Sequence, residues 1–171
     1  MIYGPTTFRM ASSADLRSWT LGGELFHDLD GASRDPQVMC HDGKYFLCYC
    51  SGNEVRLRES ADLLVWDGPW TILTLPEGVS PESPFLLCHE NAFYLFVCTW
   101  DGVWDHKTVS GAYQHKTLVF VADTPRGFVG KRPVAEVDAH APEIFQRGAQ
   151  YYISSAEWPE RGINVAPLDF V

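Results

Sequence analysis

Apolar residues in this 171-residue chain fall into short runs separated by turn residues. Three of the runs are rich in tyrosine or phenylalanine: Lys44-Tyr45-Phe46-Leu47-Cys48-Tyr49, Phe93-Tyr94-Leu95-Phe96-Val97 and Gln150-Tyr151-Tyr152-Ile153-Ser154. Their length and aromatic content read as strands. Val38 to Tyr49 reads as a hairpin turning at Asp42-Gly43, a pair suited to the positive-φ turn that matches strand twist. Leu86 to Cys98 reads the same way with Asn91 in place of the glycine, and Phe145 to Ser155 follows with Gly148 at its turn. Val55 to Leu57 and Thr117 to Val121 read as third strands. No window carries the i, i+3, i+4, i+7 apolar spacing of a helix with caps at both ends. The pattern predicts an all-β chain.

The runs are punctuated by a repeat. Arg34-Asp35-Pro36-Gln37-Val38, Glu82-Ser83-Pro84-Phe85-Leu86 and His140-Ala141-Pro142-Glu143-Ile144 each precede one hairpin. The prolines lie roughly 50 residues apart, a period of propeller blades. Proline is tolerated where a strand begins, because its missing N–H is not yet needed by the ladder. Asp35, Glu82 and His140, just before these prolines, are therefore expected to face one common centre. A second repeat, Ser13-Ala14-Asp15-Leu16 to Trp19 and Ser60-Ala61-Asp62-Leu63 to Trp66, marks turns between outer strands. A weaker echo runs from Ala122-Asp123-Thr124-Pro125 to Phe128. The Asp is expected to bond its own backbone there, and the aromatic to pack on the next blade.

The sum is about three and a half four-stranded blades of a propeller. Residues 1–28 make the outer strands of one blade. Residues 32–70 make a complete blade, 80–130 a blade with a long insertion between Cys98 and Thr117, and 138–171 most of the last. A closed ring needs at least about four blades. The expectation is a single domain lacking its N-terminal part, or one completed by a second chain. Unpaired edges at its ends invite self-association.

Composition narrows the partners. The formal net charge is −9, with no basic cluster to offset it, which argues against a nucleic-acid partner. No apolar run reaches about 18 residues, so nothing reads as a membrane span. Met1 to Ser13 shows no signal-peptide pattern. With free cysteines, that points to the cytoplasm if Met1 is the true start. Apolar content of 46% and aromatic content of 13% suit a neutral polar ligand such as a sugar. The five cysteines, Cys40, Cys48, Cys50, Cys88 and Cys98, form no C-x-x-C pair and read as buried small hydrophobes rather than a zinc site.

Together these motifs resemble the five-bladed β-propeller glycoside hydrolases of families 43 and 32. The residues that carry the resemblance are Ser33-Arg34-Asp35-Pro36 with Asp42-Gly43-Lys44-Tyr45, Glu82-Ser83-Pro84-Phe85 with Tyr94-Leu95-Phe96, and His140-Ala141-Pro142-Glu143-Ile144. The closing Gly162-Ile163-Asn164-Val165-Ala166-Pro167-Leu168 and the Ser-x-Asp-Leu-x-x-Trp elements belong to it too. The resemblance covers nearly the whole chain. It implies hydrolysis of an arabinoside, xyloside or fructoside, with three carboxylates in a central funnel. By it, Glu82 is the general acid and Asp35 the supporting second-blade carboxylate. The first-blade Asp, a base or nucleophile, has no match. The nearest acids, Asp28 and Asp30, read as an inter-blade loop. No cofactor is required. His140 is either a ligand of a calcium ion, partly through water, or a hydrogen-bonded core histidine.

Glycosidic cleavage needs one carboxyl that stays protonated to donate to the leaving oxygen, and a second to deliver water or attack. An apolar wall or a nearby like charge keeps the first protonated. Pro81, Pro84 and Phe85 flank Glu82, and Asp35 offers the charge. The bland alternatives are a turn cap for Asp35 and an exposed loop carboxylate for Glu82. Arg34 is expected to bind a sugar hydroxyl or to hold Asp35 ionised. Glu143 joins the site or, by strand alternation, turns toward a neighbouring blade. In the insertion, Trp100 and Trp104 are candidates for stacking on a sugar ring, with packing the competing role; Trp158 is a further candidate. Asp101, Asp105, His106 and His115 fit no metal template and read as a solvated loop. The rival functions are a non-catalytic carbohydrate-binding propeller and a protein-interaction propeller.

Overall fold

A computed structural model describes residues 1–28, 33–100, 116–156 and 162–170. They form four antiparallel sheets, each with its strands in chain order. The first holds β1 (Ile2–Tyr3), β2 (Thr7–Ser12) and β3 (Thr20–His27). The second holds β4 (Arg34–His41), β5 (Lys44–Ser51), β6 (Glu54–Ser60) and β7 (Asp67–Thr74). The third holds β8 (Ser80–His89), β9 (Ala92–Trp100), β10 (Thr117–Ala122) and β11 (Ala135–Val137). The fourth holds β12 (Ile144–Arg147), β13 (Gln150–Ala156) and β14 (Ile163–Leu168). There is no helix among the described residues, and so none long and apolar enough to cross a membrane. The architecture is a partial five-bladed β-propeller.

The hairpins form where the turn chemistry allows. Asp42 and Gly43 take φ of 48° and 72°, and Glu90 and Asn91 take 48° and 64°. Two successive positive-φ residues give the mirror-image turn that fits the right-handed twist of paired strands. The outer turns are copies of one another. Asp15 Oδ1 accepts the N–H groups of Arg17 and Ser18, both at 2.8 Å, and Asp62 Oδ1 accepts those of Leu64 and Val65 at 2.8 and 2.9 Å. This match makes β2 the counterpart of β6, β3 of β7 and β1 of β5. The first sheet is thus built from second-to-fourth-type strands, and the described residues hold no inner strand for it.

The tyrosine-rich strands are apolar throughout because both of their faces are covered. From β5, Phe46 and Cys48 enter the core shared with the third sheet, while Leu47 and Tyr49 meet Phe8, Phe26 and Trp66 of the opposite core. From β9, Leu95 and Val97 face the second sheet, while Tyr94 and Phe96 face Ile144 and Ile153 of the fourth. Alternation along a strand thus builds two cores from one run.

Two expectations change. The turn aromatics pack backwards, not onto the next sheet. Trp66 of the second sheet meets Phe26 of the first at 6.5 Å, edge to face, and Phe128 of the third is buried in the core shared with the second. The partner that Trp66 finds is an aromatic face suited to its edge. Trp19, on the first sheet, stays 41% exposed. The cysteines also divide. Cys48, Cys50 and Cys98 are buried, but Cys40 is exposed and Cys88 half-buried. Next to Cys40, Met39 is the residue that turns into the core, so alternation sends Cys40 outward.

Candidate active site

Each inner strand opens with the same device. Arg34 pairs with Cys50 but Gln37 pairs with Cys48, and Glu82 pairs with Cys98 but Phe85 with Phe96. One extra residue is inserted in each case, which is a β-bulge. The fourth sheet repeats it: the Ala156 N–H reaches His140 O at 2.8 Å and the Ser154 N–H reaches Glu143 O at 2.9 Å. The proline in the bulge brings no N–H that the broken ladder would leave stranded. The residue before it takes a positive φ: 55° at Asp35, 46° at Ser83 and 46° at Ala141. Non-glycine residues hold such angles at a cost, and the surroundings must fix them.

The bulge corrects one expectation. Asp35, Glu82 and His140 do not share a register. Arg34, Glu82 and His140 are the equivalent set, and Asp35 belongs with Ser83 and Ala141, the bulged residues. Asp35 stands one place before its proline, whereas Glu82 and His140 stand two places before theirs. Asp35 still reaches the same spot, because its side chain crosses to the third sheet.

There it braces Glu82. The Ser83 N–H donates to Asp35 Oδ2 at 3.1 Å. Arg34 Nη2 donates to Ser80 Oγ at 2.6 Å and to Pro81 O at 2.5 Å, and Arg34 Nε lies 3.8 Å from Asp35 Oδ2. The second sheet therefore holds the main chain on both sides of Glu82. Burial pushes the Glu82 carboxyl above its ordinary range, the charge of Asp35 pushes it further, and Arg34 pulls the other way. Deeper in the same junction, Gln37 clasps one residue of β8. Its Oε1 accepts the Leu86 N–H at 3.1 Å and the Cys48 thiol at 3.1 Å, and its Nε2 donates to Leu86 O at 3.3 Å.

The fourth sheet supplies His140 and Glu143. His140 is buried, at 9% exposure, and its N–H donates to Ser155 Oγ at 3.0 Å. The Glu143 N–H donates to Ser154 Oγ at 3.0 Å; the residue is exposed, and partial desolvation of its carboxyl raises it above the ordinary range. Its charge reaches the second sheet: burial first, and Glu143 in small part, push the Cys48 thiol up to about 12. The side chains of Trp100, Trp104 and Trp158, and of Asp101, Asp105, His106 and His115, lie outside the described residues.

No described carboxylate stands at the first-blade position. Asp30 lies outside the described residues. Asp28 is buried and committed elsewhere: Arg58 Nη2 donates to it at 2.9 Å and the Ser33 hydroxyl at 2.7 Å. Burial opposes its charge, but hydrogen bonds from Tyr49, Ser33 and Arg58 outweigh that and hold its carboxyl below the usual range. It fastens the first sheet to the second, just ahead of β4. As to calcium, no group of three His, Cys, Asp or Glu side chains among the described residues is placed to hold a metal ion. An ion held by His140 partly through water would not need such a group, and no chemical step is assigned to it. A separate concavity at the outer rim of the second sheet, lined by Lys44, Glu59, Asp62 and Asp67 among others, lies apart from Glu82.

Sequence reasoning missed Gln37, Ser80, Cys98 and Thr117. A signal for one was present: Cys50, Cys98 and Ala156 each lie fourteen residues after their proline. Two of them stand directly opposite Arg34 and Glu82.

Sheets and bulges define the class as one of fold: a partial five-bladed β-propeller, a fold shared with solved glycoside hydrolases. A thermostable family-43 glycoside hydrolase superposes with a TM-score of 0.73 at 18% identity, over 96% of this chain and 64% of that one. An exo-1,5-α-L-arabinanase from a bovine ruminal metagenomic library gives 0.69 at 15% identity, over 96% and 66%. A family-32 β-fructofuranosidase from Bombyx mori gives 0.64 at 16% identity, over 90% of this chain and 37% of that one. At these identities the likeness is one of fold. No family model and no curated protein matches the sequence.

Proposed function

We propose that this chain carries the acid half of a glycosidase site. Glu82 donates the proton to the departing glycosidic oxygen, and Asp35 keeps Glu82 protonated by its charge while fixing the adjacent main chain. Arg34 sets the balance by pulling in the other direction. The observation that carries the reading is the braced, raised carboxyl of Glu82, because a general acid must still hold its proton near working pH. The neighbouring propellers support it as enzymes on arabinan and fructosides, by their names. His140 and Glu143 contact the sugar in this reading, with Trp100 and Trp104 as stacking platforms. A calcium ion on His140, and self-association through the sheet edges, are parts of the same proposal that need their own tests. The second carboxylate that cleavage requires is assigned to none of the described residues.

The test is release of sugar from arabinosides, xylosides and fructosides by the full chain and by Glu82→Gln, alongside calorimetric titration with the matching oligosaccharides. Turnover that Glu82→Gln abolishes supports the reading. Binding without turnover makes the chain a carbohydrate-binding propeller, and neither at millimolar sugar removes the reading.

A further inference from the structure

We propose that Cys98 is a positioning residue, whose thiol ties the His140 turn of the fourth sheet to the strand that backs Glu82. Cys98 stands in the middle of the third sheet's inner end, paired with Glu82 across to β8 and with Thr117 across to β10. Its sulfur accepts the Ala141 N–H at 3.0 Å, lies 3.0 Å from Thr117 Oγ1 and lies 3.9 Å from Ala139 O. The Thr117 hydroxyl donates to Ala139 O at 2.7 Å. A hydroxyl has one proton, and that contact uses it. The Thr117 oxygen then has its lone pairs for the Cys98 thiol, the nearer of that thiol's two acceptors. The short contacts run Ala141 N–H to Cys98 S–H to Thr117 O–H to the Ala139 carbonyl, and the thiol has a longer alternative on the same carbonyl at 3.9 Å. The chain starts and ends on the two neighbours of His140, so it grips the turn on both sides of the imidazole.

The same need is met differently one sheet earlier. There the N–H of the bulged Ser83 is accepted by Asp35, the bulged residue of the preceding sheet. At the next junction the corresponding residue is Ser83 itself, with a much shorter side chain. The thiol of Cys98 takes over from the second strand. Cys98 and Thr117 are 1% and 0% exposed and Ala141 is half-buried, so an Ala141 amide left without its acceptor would lose a bond on the side that faces the core. A thiol does this without adding charge beside Glu82. Burial raises the Cys98 thiol, bonds from Thr117 and Ala141 lower it, and the charges of Glu82 and Asp35 raise it again, leaving it neutral at ordinary pH. That the spacing of His140 from Glu82 bears on turnover rests on the glycosidase reading. That the thiol holds the turn does not.

The test is amide exchange by NMR on the full chain. In Cys98→Ala the Ala141 amide is expected to exchange about tenfold faster while β9 amides remote from the site keep their rates. Cys98→Ser keeps an acceptor and a donor, and is expected to restore the rate to within about twofold. Unchanged Ala141 exchange in folded Cys98→Ala, or no rescue by folded Cys98→Ser, overturns the proposal. If Cys98→Ala does not fold, Thr117→Val keeps the shape and removes the end of the chain. Faster Ala141 exchange there supports the proposal, and an unchanged rate overturns it. If wild type shows no glycosidase turnover, the exchange result still decides the role of the thiol.

Discussion

Both junctions between inner strands enclose apolar cores, but at its inner end the one between the second and third sheets is held by polar and charged groups, while the one between the third and fourth is held by neutral groups. Both do one task, which is to hold a strained residue before proline and so aim the side chain ahead of it. The first uses Arg34, Asp35 and Gln37, all reaching forward from the second sheet. The second uses Cys98 and Thr117, with Phe85 packed where Gln37 stood. The difference follows what each presents. Glu82 needs a neighbouring negative charge to stay protonated, and Asp35 supplies charge and hydrogen bond together. His140 is presented without an added carboxylate in its bracket. A repeat fold thus keeps the backbone device and varies the electrostatics around it.

The largest effect that tests this contrast comes from Glu82→Gln. If Glu82 is the acid, kcat on an oligosaccharide should fall by about 10²–10⁴-fold. An aryl glycoside whose leaving group needs no proton should lose far less. Equal losses on both substrates would remove Glu82 from the acid role. Stability gives a second readout. A carboxyl held above its ordinary range in the folded chain favours folding while protonated, and that benefit disappears as pH rises through the raised range. Wild type is therefore expected to lose stability relative to Glu82→Gln as pH rises from acid to neutral, measured by thermal melts across that range. The opposite slope would mean that Glu82 is not raised.

Next in size is the clasp. Gln37→Ala leaves both the Leu86 N–H and C=O without their side-chain partner, and removes an acceptor from Cys48. The expected cost is about 1–3 kcal/mol by urea unfolding. Phe85→Ala, at the equivalent place, should instead respond as a packing loss, with no change in exchange at the Ile144 amide. A Gln37→Ala variant as stable as wild type would show that the two junctions do not differ in kind.

What was legible in the sequence follows the same division. The repeat at Pro36, Pro84 and Pro142, the Asp42-Gly43 hairpin and the Asp15 and Asp62 turns depend on local chemistry, and each stands where the residues predict it. The register of Asp35 was legible by counting, since Asp35, Ser83 and Ala141 each stand directly before the repeat's proline. The bulge was not, because it adds one residue without a composition signal of its own, and the positive φ at these three residues marks it. The packing direction of Trp66, the outward face of Cys40 and the bracing role of Arg34 depend on contacts between sheets. Sequence spacing along one strand does not carry those.

Asp35→Asn separates the two jobs of one side chain. The amide oxygen can still accept the Ser83 N–H, so the bracket survives, while the charge is gone. With Asp35 neutral, burial alone holds Glu82 up and Arg34 pulls it down with less opposition. The basic limb of the pH–rate profile is expected to move to lower pH, with the midpoint of thermal unfolding near that of wild type. A limb that stays in place would show that Asp35 acts only through its hydrogen bond, and the two junctions would then be electrostatically alike.

The smallest effect bears on the device they share. Glycine enters positive φ without the clash that a Cβ brings, so Ser83→Gly and Ala141→Gly should each relieve strain of about 1–2 kcal/mol, offset by about 0.5–1 kcal/mol of added freedom in the unfolded chain. The net expectation is a gain of under about 1 kcal/mol in either variant, read from denaturant midpoints. Neither substitution removes a main-chain donor, so Asp35 and Cys98 keep their partners. Equal gains would show that the two bulges carry the same strain and that only their acceptors differ. A gain at Ser83 with a loss at Ala141 would mean that the neutral bracket holds its turn less firmly than the charged one, because the added freedom of glycine then outweighs the strain it removes.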